Sequence, residues 1–80
     1  MALITLYTSP GCHLCDEARD ALLRVREDHA FELEERDITR DDALHRAYLE
    51  RIPVIVLGGE ELFEYFVDEE LLRTRLAALH

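Results

Sequence analysis

Cys12 and Cys15, the only cysteines among the 80 residues, stand between a strand-like run and a helix-like one. Leu3-Ile4-Thr5-Leu6-Tyr7 precedes them as a short apolar strand, and apolar residues at helical spacing begin directly behind them. A dithiol at a strand-to-helix turn reads as a redox pair. A structural bridge fits less well, because closing so short a loop removes little entropy from the unfolded chain.

Downstream, the elements keep alternating. Leu14, Ala18, Ala21, Leu22 and Val25 form one stripe and predict a helix over 12–27. Phe31-Glu32-Leu33-Glu34-Glu35 alternates at period two and predicts a strand. Thr39, with Asp42 three positions on, resembles an N-cap, and Leu44, Ala47 and Tyr48 then share a helical face. Pro53 ends that region, Val54-Ile55-Val56-Leu57 reads as a strand, and Gly58-Gly59 turns the chain into a partner strand over 60–65. Asp68 is the expected N-cap of a last helix, with Val67 stapled to Leu72 and a buried stripe of Leu72, Leu76 and Leu79. Arg73 and Arg75 suit the negative end of that helix.

The order β-α-β-α-β-β-α predicts an α/β fold in which helices pack on a four-stranded mixed sheet. The first two helices are expected to cross over between parallel strands, and the last two strands to form an antiparallel hairpin. Residues 1–80 make one domain, near the size at which a single core is marginal. No repeat or linker interrupts it.

Charge and hydropathy remove several function classes. Nine basic residues face 18 acidic ones, a formal charge of −9 that disfavours nucleic acid and anionic membranes. It suits solubility or a basic patch on a protein partner. The start, Met1-Ala2-Leu3-Ile4-Thr5-Leu6-Tyr7, lacks a basic region and a long apolar run, so neither a signal sequence nor a membrane span is expected. A cytoplasmic monomer is the expectation.

Only a thiolate attacks a disulfide. Cys12 falls at the helix start, where unpaired N–H groups and the helix dipole favour an anion. Cys15, a turn further in, is expected to be more buried. Cys12 is therefore the candidate nucleophile and Cys15 the resolving thiol. His13 reads either as a solvated residue of the first turn or, when protonated, as a stabiliser of the Cys12 thiolate. Asp16 and Glu17 oppose a nearby thiolate. Tyr7 and Tyr48 read either as lining the dithiol or, by preference, as core or rim residues, and His29, His45 and His80 as surface residues. A closed zinc site needs four ligands, whereas Cys12, His13 and Cys15 offer three, with Cys12 and His13 about 100° apart on a helix. No bound metal is expected.

The run Leu6-Tyr7-Thr8-Ser9-Pro10-Gly11-Cys12-His13-Leu14-Cys15, with Ile52-Pro53-Val54 and the Gly58-Gly59 hairpin, resembles a glutaredoxin-like protein of the thioredoxin-fold superfamily over essentially the whole chain. The resemblance implies thiol–disulfide oxidoreduction and electron transport with no bound cofactor. Its substrate would be a disulfide-containing protein or a small thiol. Glutathione or a protein thiol reductant, the latter through a reductase, would donate the electrons. It further implies that Pro53 is a cis-proline facing the dithiol and that Ile52 offers its backbone N–H and C=O to the substrate. Arg51 is the matching candidate for substrate charge.

Departures from the family pattern argue against glutathione. Ser9 stands where glutathione-using relatives carry a lysine, and Phe63-Glu64 stands where they carry two glycines. Asp68 could meet a glutathione amine, but serves as an N-cap already. Glu60, Glu61, Glu64 and Asp68 are expected to form an acidic lip that repels a tripeptide with two carboxylates. The alternative to an enzyme is a binding or adaptor module that keeps the fold with little turnover.

Overall fold

The computed structural model describes residues 2–79; His80, expected at the surface, lies outside the described residues, as does Met1. The chain forms β1 (Ala2–Thr8), α1 (His13–Asp28), β2 (Phe31–Asp37), a 3-10 turn (Ile38–Arg40), α2 (Asp42–Tyr48), β3 (Val54–Leu57), β4 (Glu60–Glu64) and α3 (Glu69–Ala77). One sheet carries the strands in the order β2-β1-β3-β4. β1 and β2 are parallel, with α1 as their crossover, and β3 is antiparallel to both β1 and β4.

Contrary to expectation, α2 is not a parallel crossover. β2 ends with Asp37 beside Thr8, and β3 begins with Val54 beside Tyr7. Both points lie at the same end of the sheet, so α2 never has to carry the chain back along it.

One face of the sheet holds the core. Ile4, Leu6, Ile55, Leu57 and Phe63 meet Ala18, Leu22 and Val25 of α1 and Leu72 and Leu76 of α3. Each large side chain buried there contributes about 1.5–3 kcal/mol. Two leucines, one assigned to the α1 stripe and one to the α3 stripe, lie outside the core. Leu14 is exposed because neighbours on a helix point about 100° apart, and Cys15 takes the inward direction. Leu79 is exposed because α3 ends at Ala77, before the helical phase would turn it inward.

The caps also differ in part. Asp68 caps α3 through the Leu71 N–H at 3.1 Å, as its position implies. Thr39 caps nothing: its N–H and hydroxyl both donate to Asp37, at 2.9 and 2.6 Å. The α2 cap is Asp41, which accepts from the N–H groups of Ala43 and Leu44. Leu44 and Tyr48 are half-buried and Ala47 is exposed, so α2 lies lightly on the fold.

The hairpin contains an irregularity with consequences for the site. Gly58 and Gly59 turn with φ +56 and +92, as a two-residue hairpin of this type requires. Ile55 then pairs with Phe63 but Val56 pairs with Glu61, leaving Leu62 as an extra residue in β4. Strand residues three apart ordinarily face opposite ways. Here the spare residue brings Glu61 and Glu64 to the same face, opposite Val56 and Val54. β4 stops at Glu64, one residue before expectation, because Tyr65 adopts a left-handed φ of +72.

Candidate functional site

Cys12 terminates the turn that leaves β1. Gly11 takes φ +76, a conformation that glycine adopts without penalty. Cys12 follows in extended conformation as the N-cap of α1, and its Sγ accepts the Cys15 N–H at 3.2 Å. That hydrogen bond and the positive end of α1 both favour a thiolate at Cys12. Cys12 is half-buried, whereas Cys15 is 1% exposed. The two are joined in a disulfide with Cα atoms 5.2 Å apart.

His13 opens α1 and points to solvent, its imidazole without a hydrogen bond among the described residues. Asp16 pairs with Arg19 at 2.9 Å, which offsets its repulsion of a nearby thiolate. Among the described residues no cluster of three His, Cys, Asp or Glu side chains is arranged to hold a metal ion.

Tyr7 pairs with Val54, so the segment leaving β1 toward Cys12 and the one entering β3 from Pro53 run side by side. Pro53 is buried and the Ile52–Pro53 peptide bond is cis. Ile52 is half-buried, and its N–H departs from expectation. It donates to the Tyr48 carbonyl at 3.1 Å, closing the end of α2, so it is not open to a partner strand. The Ile52 carbonyl accepts no hydrogen bond among the described residues.

The proline loop is tied down from the far side. The Tyr65 N–H donates to the Pro53 carbonyl at 2.8 Å, and the Tyr65 hydroxyl donates to the Glu50 carbonyl, also at 2.8 Å. Arg51 donates to Glu64 at 2.7 Å and to Glu61 at 2.6 Å, and its guanidinium lies over the Tyr48 ring. Tyr48 in turn stacks on Tyr7, with ring centroids 4.6 Å apart. The Arg51 hydrogen bond holds the Glu61 carboxyl below its ordinary range, and the two glutamates raise the Arg51 guanidinium further. Burial, with Glu61 adding to it, pushes the Tyr48 phenol up.

This network bears on two expectations. Arg51 does not present a free charge to substrate, because Glu61 and Glu64 neutralise it. The acidic lip is half neutralised: Glu60 pairs with Arg75, and Glu61 and Glu64 share the one charge of Arg51, while Asp68 keeps its charge as a cap.

Tyr65 is the site residue that the sequence reading missed. It sits in an apolar triplet, Tyr65-Phe66-Val67, between an acidic strand and an N-cap. Apolar residues in such a linker were the available signal.

Relatives share this arrangement at the level of the fold. Residues 3–77 match the glutaredoxin-like domain family (DUF836). A glutaredoxin-like protein of Dictyostelium discoideum is 30% identical over 77 residues, covering 86% of this chain and 69% of that protein. The solution structure of a Nitrosomonas europaea protein superposes with a TM-score of 0.83 at 32% identity, over 94% of this chain and 91% of that one. A thioredoxin of Halobacterium salinarum shares the fold alone, with a TM-score of 0.69 at 21% identity over 96% of this chain and 73% of that one. The match over residues 3–77, with a four-stranded mixed sheet and a Cys-x-x-Cys pair at the first strand-to-helix turn, thus makes this chain a member of the glutaredoxin-like domain family, on the thioredoxin fold.

Proposed function

We propose that the protein is a thiol–disulfide oxidoreductase. The observation that carries this is the contrast within the dithiol: Cys12 half-open at a helix N-terminus with an N–H on its sulfur, Cys15 buried one turn behind. In the reduced protein the Cys12 thiolate attacks one sulfur of a substrate disulfide, and the other sulfur leaves as a thiolate. Cys15 then attacks the Cys12 sulfur of the mixed disulfide. Its proton passes to the departing substrate thiolate, and the Cys12–Cys15 disulfide remains. Two electrons have moved to the substrate. A dithiol reductant, or two molecules of a thiol such as glutathione, returns them. The Ile52 carbonyl is the acceptor for a substrate backbone N–H during the attack.

The test is reduction of a peptide disulfide by the wild type, Cys12→Ser and Cys15→Ser, with mass detection of adducts. Cys12→Ser should be inactive, and Cys15→Ser should accumulate the mixed disulfide. Equal rates for the wild type and Cys12→Ser would overturn the proposal. A wild type that exchanges no thiol would leave a binding module in its place.

A further inference from the structure

From Leu14, which stands between the two cysteines, a groove of about 150 Å³ runs between α1 and the segment that leads into α3. Its apolar walls are Leu14, Ala18 and Ala21 on one side and Tyr65, Phe66 and Val67 on the other. Phe66 is 69% exposed and Leu14 45%, a large apolar surface to leave in water next to a reactive sulfur. The volume is below the roughly 300–1,000 Å³ of clefts for drug-sized ligands, and an apolar cavity of about this size holds one benzene ring. It has room for one side chain.

The rim selects the charge of the occupant. Glu17 and Glu69 line the groove, and Asp20, three residues after Glu17 and four before Arg24, stands on the same side of α1. Among the described residues Arg24 is the one cation that lines the groove, and Glu69 holds it through two nitrogens, at 2.9 and 3.1 Å. Glu17 and Asp20 make no ion pair among the described residues. The groove is therefore walled mainly by apolar side chains and edged by carboxylates, in a chain of net charge −9.

We propose that this groove is a substrate-selecting subsite. It takes one leucine- or phenylalanine-sized side chain of a basic polypeptide whose cysteine is being attacked at Cys12. The subsite rests on the oxidoreductase reading and names its substrate class. Leu14 to Ala21 spans about 10 Å along α1, which an extended peptide covers in about three residues. The apolar residue thus stands within about three positions of the substrate cysteine, with lysine or arginine beside it. Glutathione has no such side chain and carries a net negative charge, so it leaves the groove empty.

The experiment uses the reduced full chain and cysteine peptides activated as mixed disulfides with thionitrobenzoate, whose release is followed by absorbance. Four peptides place leucine or alanine two positions from the cysteine, with arginine or glutamate flanks; glutathione activated in the same way is a fifth substrate. Each rate is divided by the rate with dithiothreitol, which removes intrinsic reactivity. The leucine–arginine peptide should exceed both the alanine–arginine and the leucine–glutamate peptides by about tenfold. In about 1 M salt, where charges are screened beyond about 3 Å, the charge preference should collapse and the leucine preference persist.

Phe66→Ser and Leu14→Ser, each at an exposed position, should shrink the leucine-to-alanine ratio. Glu17→Gln with Asp20→Asn should shrink the arginine-to-glutamate ratio. Equal rates for the four peptides, or activated glutathione ahead of all of them, would overturn the subsite and leave the oxidoreductase intact. No thionitrobenzoate release from any substrate would overturn the oxidoreductase, and the subsite with it.

Discussion

Tyr65 ties the proline loop to the end of β4 with its backbone and its side chain at once, and does so from a left-handed conformation. For a residue with a Cβ that conformation costs about 1–2 kcal/mol, whereas the extra freedom of glycine costs roughly 0.5–1 kcal/mol. Tyr65→Gly should therefore unfold at a higher urea concentration than Tyr65→Ala, the reverse of the usual order. A lower midpoint for the glycine variant would show that Tyr65 is not strained. Tyr65→Phe isolates the hydroxyl, whose bond to the Glu50 carbonyl should be worth about 0.5–1.5 kcal/mol in the same measurement. Cys12 and Cys15 were legible as a pair because the helix start alone decides which sulfur is open. Arg51 was not: its partners Glu61 and Glu64 lie on another strand, and no local pattern announces them.

At the scale of elements, legibility follows how local the deciding chemistry is. β1, α1, the Gly58-Gly59 turn and the Asp68 cap are set by neighbouring residues and could be read directly. α2 was read with the wrong cap because Asp37 and Asp41 compete with Thr39 for the same stretch, and carboxylates won both positions. With little burial behind it, α2 depends on that cap. Asp41→Ala should cost about 0.5–2 kcal/mol and speed amide exchange in 42–48 above that in α1. The β4 bulge leaves no mark in the sequence, since it reflects pairing with β3 rather than any turn residue. Its geometry makes an unusual forecast. Deleting Leu62 should restore regular alternation while keeping Glu61 and Glu64 opposite Val56 and Val54. The shortened chain should fold with the Arg51 pairs intact, as side-chain NMR would report; loss of those pairs would show that the spare residue is required.

Over the whole molecule, charge links the fold to pH. Glu61, Glu69 and Asp37 all sit below their ordinary values, through Arg51, Arg24 and Thr39 respectively. In acid the unfolded chain binds protons that these folded carboxylates refuse. Their stabilisation is thus present above about pH 4 to 4.5 and lost as pH falls through the depressed folded values. Urea midpoints should drop on acidification, and Arg51→Met should flatten that drop by removing the Glu61 share. A variant with the wild-type slope would exclude Arg51 as the cause. The three tyrosines carry one more consequence. Tyr7 and Tyr48 stack at the end of the sheet where Tyr65 meets Pro53, and the chain contains no tryptophan. Tyrosine emission therefore originates wholly at the dithiol end, so the unlabelled protein carries its own optical probe of what arrives there.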